Sequence, residues 1–280
     1  MSLVSMKVLL EQAAKGNYGI GAFSIADMEM IMGVIKAAEE KKSPVILQIA
    51  QTRLRHSPLH LIAPVMLAAA KSASVPVAVH FDHGLDLETI GQALDLGFTS
   101  VMIDASHLPI EENIKITKEV KKLAESYGAD VEAEVGQLAG SEDGSKDLEM
   151  FFSNPLEVKA LYENTGVDAI ALSIGNAHGL YKKEPKLNFA VLQSSKEMVP
   201  VPLVLHGGSG ISDDDFCRCV REGIRKVNIA TAGFMAVEGK VRKYCENESR
   251  DYFKMVDMMV EGAYENTARH INIFGSDNKA

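Results

Sequence analysis

The sequence has few cysteines and no excess of basic residues. Its three cysteines, Cys217, Cys219 and Cys245, are odd in number and lack C-x-x-C spacing, so they indicate neither a disulfide framework nor a thiolate metal site. Lys and Arg total 29 against 38 Asp and Glu, which gives a formal net charge of -9. Because no cationic surplus is present to neutralise nucleic acid or an anionic lipid surface, we expect neither as a partner.

The sequence also lacks the pattern of a targeting or membrane-spanning segment. Residues 1–16 carry Lys7, Glu11 and Lys15 and predict a short amphipathic helix without the apolar centre of a signal peptide. The most apolar stretch, 61–70, contains Pro64 and is too short to span a bilayer. We therefore expect a soluble, cytoplasmic protein.

Short runs rich in Val and Ile alternate with longer segments whose apolar residues fall at helical spacing. This alternation is typical of βα units that build a parallel sheet. The short runs predict eight strands, at 18–25, 44–50, 76–83, 100–106, 129–136, 169–176, 201–208 and 226–232. The segments between and after them predict helices at 29–42, 59–74, 86–96, 110–128, 155–166, 189–198, 213–223, 233–247 and about 251–271.

Eight strand and helix pairs are what a barrel of eight βα units needs. Asn154 before Pro155, and Ser212 three residues before Asp215, mark helix starts. No Pro/Gly/Ser-rich linker divides the chain, so we predict one α/β domain over residues 1–280, a (β/α)8 TIM barrel with an N-terminal helix and a C-terminal helical extension. The alternative is a doubly wound open sheet, which usually has a G-x-G-x-x-G turn after its first strand, and this sequence lacks that turn.

Histidines gather where the predicted strands end, the face on which barrel enzymes place their active sites. The third strand ends HFDHG, the sixth GNAHG and the seventh HGGSG. Three imidazoles with an open fourth position form the ligand set of a catalytic zinc site. Each histidine alone could be a hydrogen-bonded structural residue, but three at matching strand ends favour a metal site at His83, His178 and His206.

Two further histidines do not fit the metal pattern. His80 lies before its strand end, and His107 matches no other ligand feature, so we expect structural or supporting roles for both. Strict alternation would place Asp82 and His83 on opposite faces of the strand. We therefore expect the strand to end or kink there, with Gly84 making the kink possible.

Several long motifs resemble one known family. HFDHG, SVMIDASH, VEAEVGQLAGSEDG, IGNAHGLY with PKLNF, LVLHGGSGI and KVNIATA occur in this order and together cover nearly the whole chain. They are similar to the class II ketose-bisphosphate aldolases, the family that includes fructose- and tagatose-bisphosphate aldolases. The resemblance implies reversible aldol cleavage of a ketose phosphate to dihydroxyacetone phosphate and an aldehyde.

The resemblance also implies roles for single residues. His83, His178 and His206 would bind one Zn²⁺ per subunit, and Asp82 would move the proton on the hydroxyl of the bond being broken. Glu142 would exchange the proton on the dihydroxyacetone-phosphate carbon. Glu134 matches a carboxylate near the metal that can act as an alternative ligand, whereas for Glu132 we favour a buried structural role.

A phosphate group should bind where the loops after strands seven and eight present backbone N–H groups and a helix N-terminus. In the family this position is taken by residues matching Ser209, Asn228 and Thr231. The complete set expected at the substrate and its phosphate is Gly179, Gly207, Gly208, Ser209, Asn228, Ala230 and Thr231. The resemblance further implies that backbone groups near Gly179 and Gly207 can hold a monovalent cation, Na⁺ or K⁺.

The expected chemistry agrees with these residue types. Cleavage leaves an enediolate, whose negative charge a zinc ion can stabilise as a Lewis acid. An imine-forming aldolase needs a lysine nucleophile, and no lysine lies at a C-terminal strand end, since Lys226 is predicted at the start of strand eight.

Departures from the family pattern fall at substrate positions. Relatives commonly have Asn at Ser24, many have Ser at Ala50, and fructose-bisphosphate aldolases usually carry Asp at Ala230. We therefore expect tagatose or a related ketose 1,6-bisphosphate rather than fructose 1,6-bisphosphate. Arg53 and Arg55 would contact a second phosphate or a carboxylate, or would be solvated loop charges, and the second interpretation is favoured.

Two other functions share part of this pattern. A metal-dependent phosphosugar isomerase or epimerase would use similar enediolate chemistry but does not obviously need both Asp82 and Glu142. A non-catalytic sugar-phosphate binder has no physical need for two proton-transfer carboxylates. The resemblance also suggests a homodimer or homotetramer.

Overall fold

The computed structural model describes residues 2–136, 152–179, 185–246 and 251–280. Eight parallel strands follow one another in chain order, and the last pairs with the first, so the sheet closes into a barrel. The strands are β1 (Ile20–Ser24), β2 (Val45–Ala50), β3 (Val77–Gly84), β4 (Ser100–Ile103), β5 (Asp130–Val135), β6 (Ala169–Leu172), β7 (Leu203–Leu205) and β8 (Ile224–Ile229). The predicted (β/α)8 barrel is confirmed.

Helices surround the barrel and connect successive strands. They are α1 (Met6–Gly16), α2 (Met28–Lys41), α3 (Leu59–Ser72), α4 (Leu87–Leu96), α5 (Ile110–Glu125), α6 (Pro155–Thr165), α7 (Phe189–Met198), α8 (Asp213–Glu222), α9 (Thr231–Cys245) and α10 (Tyr252–Phe274). A 3₁₀ turn, Gln51–Arg53, follows β2. Among the helices in the described part of the chain, none is long and apolar enough to cross a membrane.

Polar side chains cap the N-termini of α6 and α8, as the sequence predicts. The Asn154 side chain accepts a hydrogen bond from the Leu156 N–H, with Pro155 in the first turn. Ser212 likewise accepts from the N–H of Asp215. These caps satisfy backbone donors that have no partner within the helix.

The two ends of the strands have different side chains inside the barrel. Near the amino-terminal ends the interior is apolar: residues of α1, such as Met6 and Leu10, pack against small and aliphatic strand residues such as Ala22 and Ala171. Towards the carboxyl-terminal ends the buried interior becomes polar, with Ser24, Gln48, His80, Asp82, Ser100, Glu132, Glu134, His206, Lys226 and Asn228. The alternate residues point outward into the apolar layer beneath the helices. The polar side chains inside the barrel are therefore gathered towards one end.

The eighth βα unit differs from its prediction. β8 begins at Ile224 and α9 at Thr231, two residues earlier than expected in both cases. Lys226 is consequently the third residue of the strand rather than its first, and its side chain is completely buried. The prediction failed because Ile224 and Arg225 follow a helix-ending glycine directly, without an intervening loop.

Candidate functional site

His83 lies at an irregular point of β3. Its φ is +44°, in the left-handed region that residues other than glycine seldom adopt, and the pairing of β3 with β4 shifts register between Phe81 and Gly84. The kink expected from the sequence is therefore present, but it is centred on His83. Glycine is required at position 84 for a different reason. A Cβ there would lie 2.5 Å from the carbonyl oxygen of Met102, so a side chain does not fit.

His83, His178 and His206 meet at the carboxyl end of the barrel. One ring nitrogen from each lies within 4.8 Å of the others. The His83 ring centroid is 4.9 Å from that of His178 and 4.6 Å from that of His206. His83 and His206 are buried, and His178, in the loop after β6, is half-buried. The structure thus brings together the three histidines that the sequence singled out.

Carboxylates hold two of these rings in place. His83 Nδ1 is 2.9 Å from Asp104 Oδ2, which makes Nε2 the candidate ligand atom. His206 Nε2 is 2.7 Å from Glu132 Oε1, which turns Nδ1 towards the cluster. Carboxylate partners of this kind fix the orientation and tautomer of metal-binding histidines.

The cluster fits a divalent metal ion of the zinc type. His206 Nδ1 is buried and has no hydrogen bond within the described residues, although Glu134 Oε2 lies 3.3 Å away. Burial lowers the pKa of His206 and the neighbouring His83 lowers it further, so the imidazole is neutral, the form that binds a metal. Three histidine nitrogens within 4.8 Å of one another match the protein ligand set of a catalytic zinc site.

The acidic groups beside the cluster have shifted pKa values. Burial raises the pKa of Glu134 well above its ordinary value, and the charge of Asp104 raises it further. Burial also raises the pKa of Asp104, but hydrogen bonds with His83 and Ser106 outweigh burial and bring it below its ordinary value. Glu134 also forms a possible ligand group with His83 and Asp104. Glu134 thus lies beside the cluster, and its role as an alternative ligand stays a prediction.

Asp82 is held from two sides. Its Oδ2 accepts a hydrogen bond from Gln48 Nε2 at 3.0 Å, and its Oδ1 accepts one from Asn228 Nδ2 at 3.1 Å. Asp82 is 1% exposed. It lies on the interior face of β3, next to the kink at His83. Asp82 therefore has a fixed orientation at the histidine cluster.

A buried polar network continues below Asp82 and His206. Glu132 is buried, as expected, but it also contacts His206 and Lys226. His80 Nδ1 is 2.9 Å from Ser100 Oγ, which agrees with the supporting role predicted for it. His107 is exposed in the loop after β4. Glu132 is thus a partner of the candidate ligand His206.

The loops after β7 and β8 approach each other closely. Gly207 has φ +62°, and a Cβ at this position would overlap the carbonyl oxygen of Ala177. Ser209 Oγ accepts a hydrogen bond from the Ala232 N–H at 2.8 Å. Ala230, the N-cap of α9, offers no side-chain cap. Backbone N–H groups of Thr231 and its neighbours thus begin a helix beside the glycine loop, an arrangement that favours an anion.

The remaining residues predicted at the substrate lie on different loops and strands. Gly208 is buried next to the backbone of Asn228, and Gly179, with φ +85°, is half-buried after His178. Ser24 and Ala50 are buried at the ends of β1 and β2. Glu142 lies outside the described residues.

The two arginines after β2 differ in their surroundings. Arg53 is half-buried, with its guanidinium carbon 5.2 Å from the centre of the Phe234 ring. Arg55 is exposed, and its Nε donates to His56 Nε2. The interpretation as a solvated loop charge fits Arg55, whereas Arg53 packs against α9.

Sequence reasoning missed three side chains of the site. Gln48, Asp104 and Lys226 each contact a predicted site residue or its partner. Asp104 could have been found, because it follows the fourth strand in the motif SVMIDASH. Gln48 and Lys226 lie inside their strands, where the pattern gives no sign of chemistry.

Comparison with known proteins yields consistent matches. The model of the family "Fructose-bisphosphate aldolase class-II" matches residues 4–279. A fructose-bisphosphate aldolase of Geobacillus stearothermophilus is 40% identical over 257 residues, covering 90% of this chain and 89% of that protein. A fructose-bisphosphate aldolase of Staphylococcus aureus is 37% identical over 285 residues, which cover the full length of both proteins. The crystal structure of the YdjI aldolase of Escherichia coli K12 has a TM-score of 0.89 at 35% identity and covers 99% of both chains.

The barrel and these matches define a lyase that acts on carbon–carbon bonds. The chain belongs to the class II fructose-bisphosphate aldolase family. The resemblance of its motifs to class II aldolases is thereby confirmed. The family is zinc-dependent in general, and the histidine cluster is a group that could hold such an ion.

Proposed function

We propose that this protein catalyses reversible aldol cleavage of a ketose 1,6-bisphosphate or a related ketose phosphate, giving dihydroxyacetone phosphate and an aldehyde. The observation that carries the proposal is the cluster of His83, His178 and His206, whose ligand nitrogens lie within 4.8 Å of one another, beside the oriented carboxylate of Asp82. The aldolase family to which the chain belongs supports the same reaction.

One zinc ion per subunit would be held by the three histidines, with Glu134 as an alternative ligand. A zinc ion bound there acts as a Lewis acid towards the negative charge that develops on the ketose oxygens. The protein's contribution is to fix the orientation of two imidazoles, His83 by Asp104 and His206 by Glu132.

Asp82 would take the proton from the substrate hydroxyl as the carbon–carbon bond breaks, and return it in the reverse direction. The hydrogen bonds from Gln48 and Asn228 orient both carboxylate oxygens before substrate binds. A preoriented base of this kind typically contributes about 10²–10⁴ to the rate. Glu142, outside the described residues, would exchange the proton on the dihydroxyacetone-phosphate carbon, a role that rests on sequence resemblance alone.

The phosphate of the dihydroxyacetone half would bind between the β7 loop and the start of α9. Gly207, Gly208 and Ser209 lie on one side, and Asn228, Ala230 and Thr231 on the other. The N-terminus of α9, where Ala230 supplies no side-chain cap, supports this position. Binding of Na⁺ or K⁺ by backbone groups near Gly179 and Gly207 stays a prediction, as do the homodimer or homotetramer and the cellular location.

Recognition of the aldehyde half would differ from that in fructose-bisphosphate aldolases. Ala230 replaces the Asp usual in fructose-bisphosphate aldolases, and Ser24 and Ala50 replace other usual side chains at the ends of β1 and β2. We therefore propose tagatose 1,6-bisphosphate or a related ketose 1,6-bisphosphate as substrate. A panel of ketose mono- and bisphosphates, assayed for triose-phosphate release, would identify it.

The mechanism is tested with two substitutions and a matched control. Asp82→Asn should lower kcat by about 10²–10⁴ and leave bound zinc unchanged, because it removes the base but no metal ligand. His178→Ala should lose both zinc and activity. His107→Ala, the same change at an exposed histidine after β4, should behave as wild type in both measurements.

Other outcomes would change the proposal. Full activity in Asp82→Asn or His178→Ala would overturn the assigned roles. Interconversion of ketose phosphates without release of a triose would indicate an isomerase or epimerase. Borohydride with substrate should not inactivate the enzyme, because Lys226, the lysine inside the barrel, is paired with Glu132 rather than placed as a nucleophile.

A further inference from the structure

Lys226 is a lysine buried inside the barrel, directly below the histidine cluster. Its side chain is 0% exposed. The ammonium lies 2.8 Å from Glu132 Oε2 and donates to Asn228 Oδ1, also at 2.8 Å. A buried ammonium is costly to desolvate and persists when it is paired and hydrogen-bonded. Both of its partners in turn contact residues of the proposed mechanism.

The first connection runs through Glu132 to the metal cluster. The carboxylate bridges two groups: Oε2 faces Lys226, and Oε1 lies 2.7 Å from His206 Nε2. An ionised carboxylate accepts hydrogen bonds only, so His206 carries its proton on Nε2 and presents Nδ1 to the cluster. Lys226 Nζ contacts the other carboxylate oxygen, so the two contacts together fix the orientation of Glu132 towards His206.

The second connection runs through Asn228 to Asp82. Because an ammonium only donates, the atom of Asn228 that faces Lys226 must be the amide oxygen. The amide nitrogen then faces Asp82 Oδ1 and donates to it at 3.1 Å. Lys226 and Asp82 thus hold the amide of Asn228 from its two ends, and without Lys226 the amide oxygen loses the donor that fixes its position.

We propose that Lys226 is a positioning residue that acts on both halves of the catalytic site, on His206 through Glu132 and on Asp82 through Asn228. This inference rests on the proposed function, since it assigns the histidine cluster to zinc and Asp82 to proton transfer. Lys226 itself contacts neither His206 nor Asp82. Its ammonium donates to both Glu132 and Asn228, which in turn set the tautomer of His206 and the hydrogen bond to Asp82.

The test replaces Lys226 with methionine, which has a similar length and no charge. Zinc affinity, measured by chelator competition, should fall by about 10–100-fold, the usual effect of losing a group that orients a metal ligand. The visible spectrum of the Co²⁺-substituted protein should also change, because the orientation of His206 has changed. In steady-state assays kcat should fall more than KM rises, because the loss acts mainly on proton transfer by Asp82.

Lys121→Met is the matched control. Lys121 also forms an ion pair with a buried carboxylate, Asp168, at 2.6 Å, but on α5 near the start of β6, at the opposite end of the barrel. Its loss should lower the melting temperature without altering zinc affinity, the Co²⁺ spectrum or the ratio of kcat to KM. The comparison separates positioning from a general loss of stability.

Lys226→Met alone leaves the Glu132 charge buried without its cation and could fail to fold. The double variant Lys226→Met with Glu132→Gln removes both charges, and it should fold and still show weakened zinc binding and an altered Co²⁺ spectrum. A folded single or double variant with wild-type zinc affinity, spectrum and kcat would overturn the inference.

Failure of the proposed function is seen in the wild-type protein instead. A wild type that binds no zinc overturns both proposals. A wild type that binds zinc but releases no triose phosphate overturns the proposed reaction only, and the zinc affinity and Co²⁺ spectrum of the variants still decide the positioning of His206.

Discussion

His270 shows how the interior changes the chemistry of one side chain away from the histidine cluster. It lies on α10, where its ring packs edge-on against Phe23 and Phe216 and tilted against Phe274. Its Nδ1 is 2.7 Å from the carbonyl oxygen of Asn266, which fixes the neutral tautomer. Burial lowers the pKa of His270 from 6.5 to about 4. A titrating side chain has thus become part of an aromatic core.

The lowered pKa of His270 predicts how the free energy of unfolding depends on pH. Since the pKa is lower in the folded state, the unfolded chain binds a proton between about pH 4 and 6.5 that the folded chain does not bind. The contribution of neutral His270 to the free energy of unfolding is therefore complete above about pH 6.5 and decreases as the pH falls below that value. Replacing His270 with Phe should make the loss of unfolding free energy between pH 7 and pH 5 smaller by about 2 kcal/mol.

Urea unfolding at the two pH values measures this difference. His60→Phe, at an exposed position of α3, is the control and should lose as much unfolding free energy as the wild type. An unchanged pH dependence in His270→Phe would show that His270 takes up its proton equally in both states.

Residues were predictable from the sequence where a strand end marked them. His83, His178 and His206 each stand beside a glycine at such an end, and the structure brings their ring nitrogens together. Gln48 and Lys226 could not be predicted, because alternation along one strand shows which face a residue is on but not which residues of other strands it meets.

Among the elements, α2 and α10 pack with their backbones unusually close. Gly33 of α2 is buried against α10, and a Cβ there would lie 2.5 Å from the Val260 carbonyl oxygen and 2.6 Å from the Ala263 Cβ. Helix propensity alone would favour alanine at this position by about 1 kcal/mol. The crossing therefore depends on the absence of a side chain in α2.

Gly33→Ala should destabilise the protein by about 1–3 kcal/mol, because overpacking at the crossing outweighs the gain in helix propensity. Gly239 is the matched site, because it is exposed in α9 and a Cβ added there would meet no atom within 4 Å. Gly239→Ala should instead stabilise by up to about 1 kcal/mol. Denaturant unfolding of both variants tests the pair, and equal effects would contradict the close crossing.

Element order and type followed from the sequence, whereas the ends of elements shifted by a few residues. β6 and β7 stop at Leu172 and Leu205, earlier than predicted, because the chain leaves the sheet before His178 and His206. The Val- and Ile-rich pattern continues past the last ladder hydrogen bond, so it cannot show where pairing stops. That point depends on the neighbouring strand.

At the scale of the whole molecule, the barrel concentrates polar groups at one end and apolar packing at the other. His83, His206, Asp82, Glu132 and Glu134 are buried together, with His178 half-buried beside them. Several of them have shifted pKa values, and groups of this kind are typical of functional sites rather than of sites that stabilise a fold. A bound cation would offset the repulsion among the carboxylates.

Zinc should therefore stabilise the folded protein as a whole. At a free concentration about 100 times its Kd, a ligand that binds only the folded state adds about 2.7 kcal/mol to the free energy of unfolding. Thermal unfolding with zinc and with EDTA should differ by several degrees Celsius in the wild type. His178→Ala should show little difference, and a wild-type melting temperature indifferent to both additions would argue against a zinc site.

The sequence by itself determined the eight βα units, their order and the strand ends that carry His83, His178 and His206, because these features depend on local patterns of apolar, polar and turn-forming residues. Only the tertiary structure decided which interior side chains meet. Lys226 reaches Glu132, and Glu132 reaches His206, because barrel closure sets the stagger between strands far apart in the chain. Such contacts depend on the register of every strand around the barrel, and no single segment encodes that register.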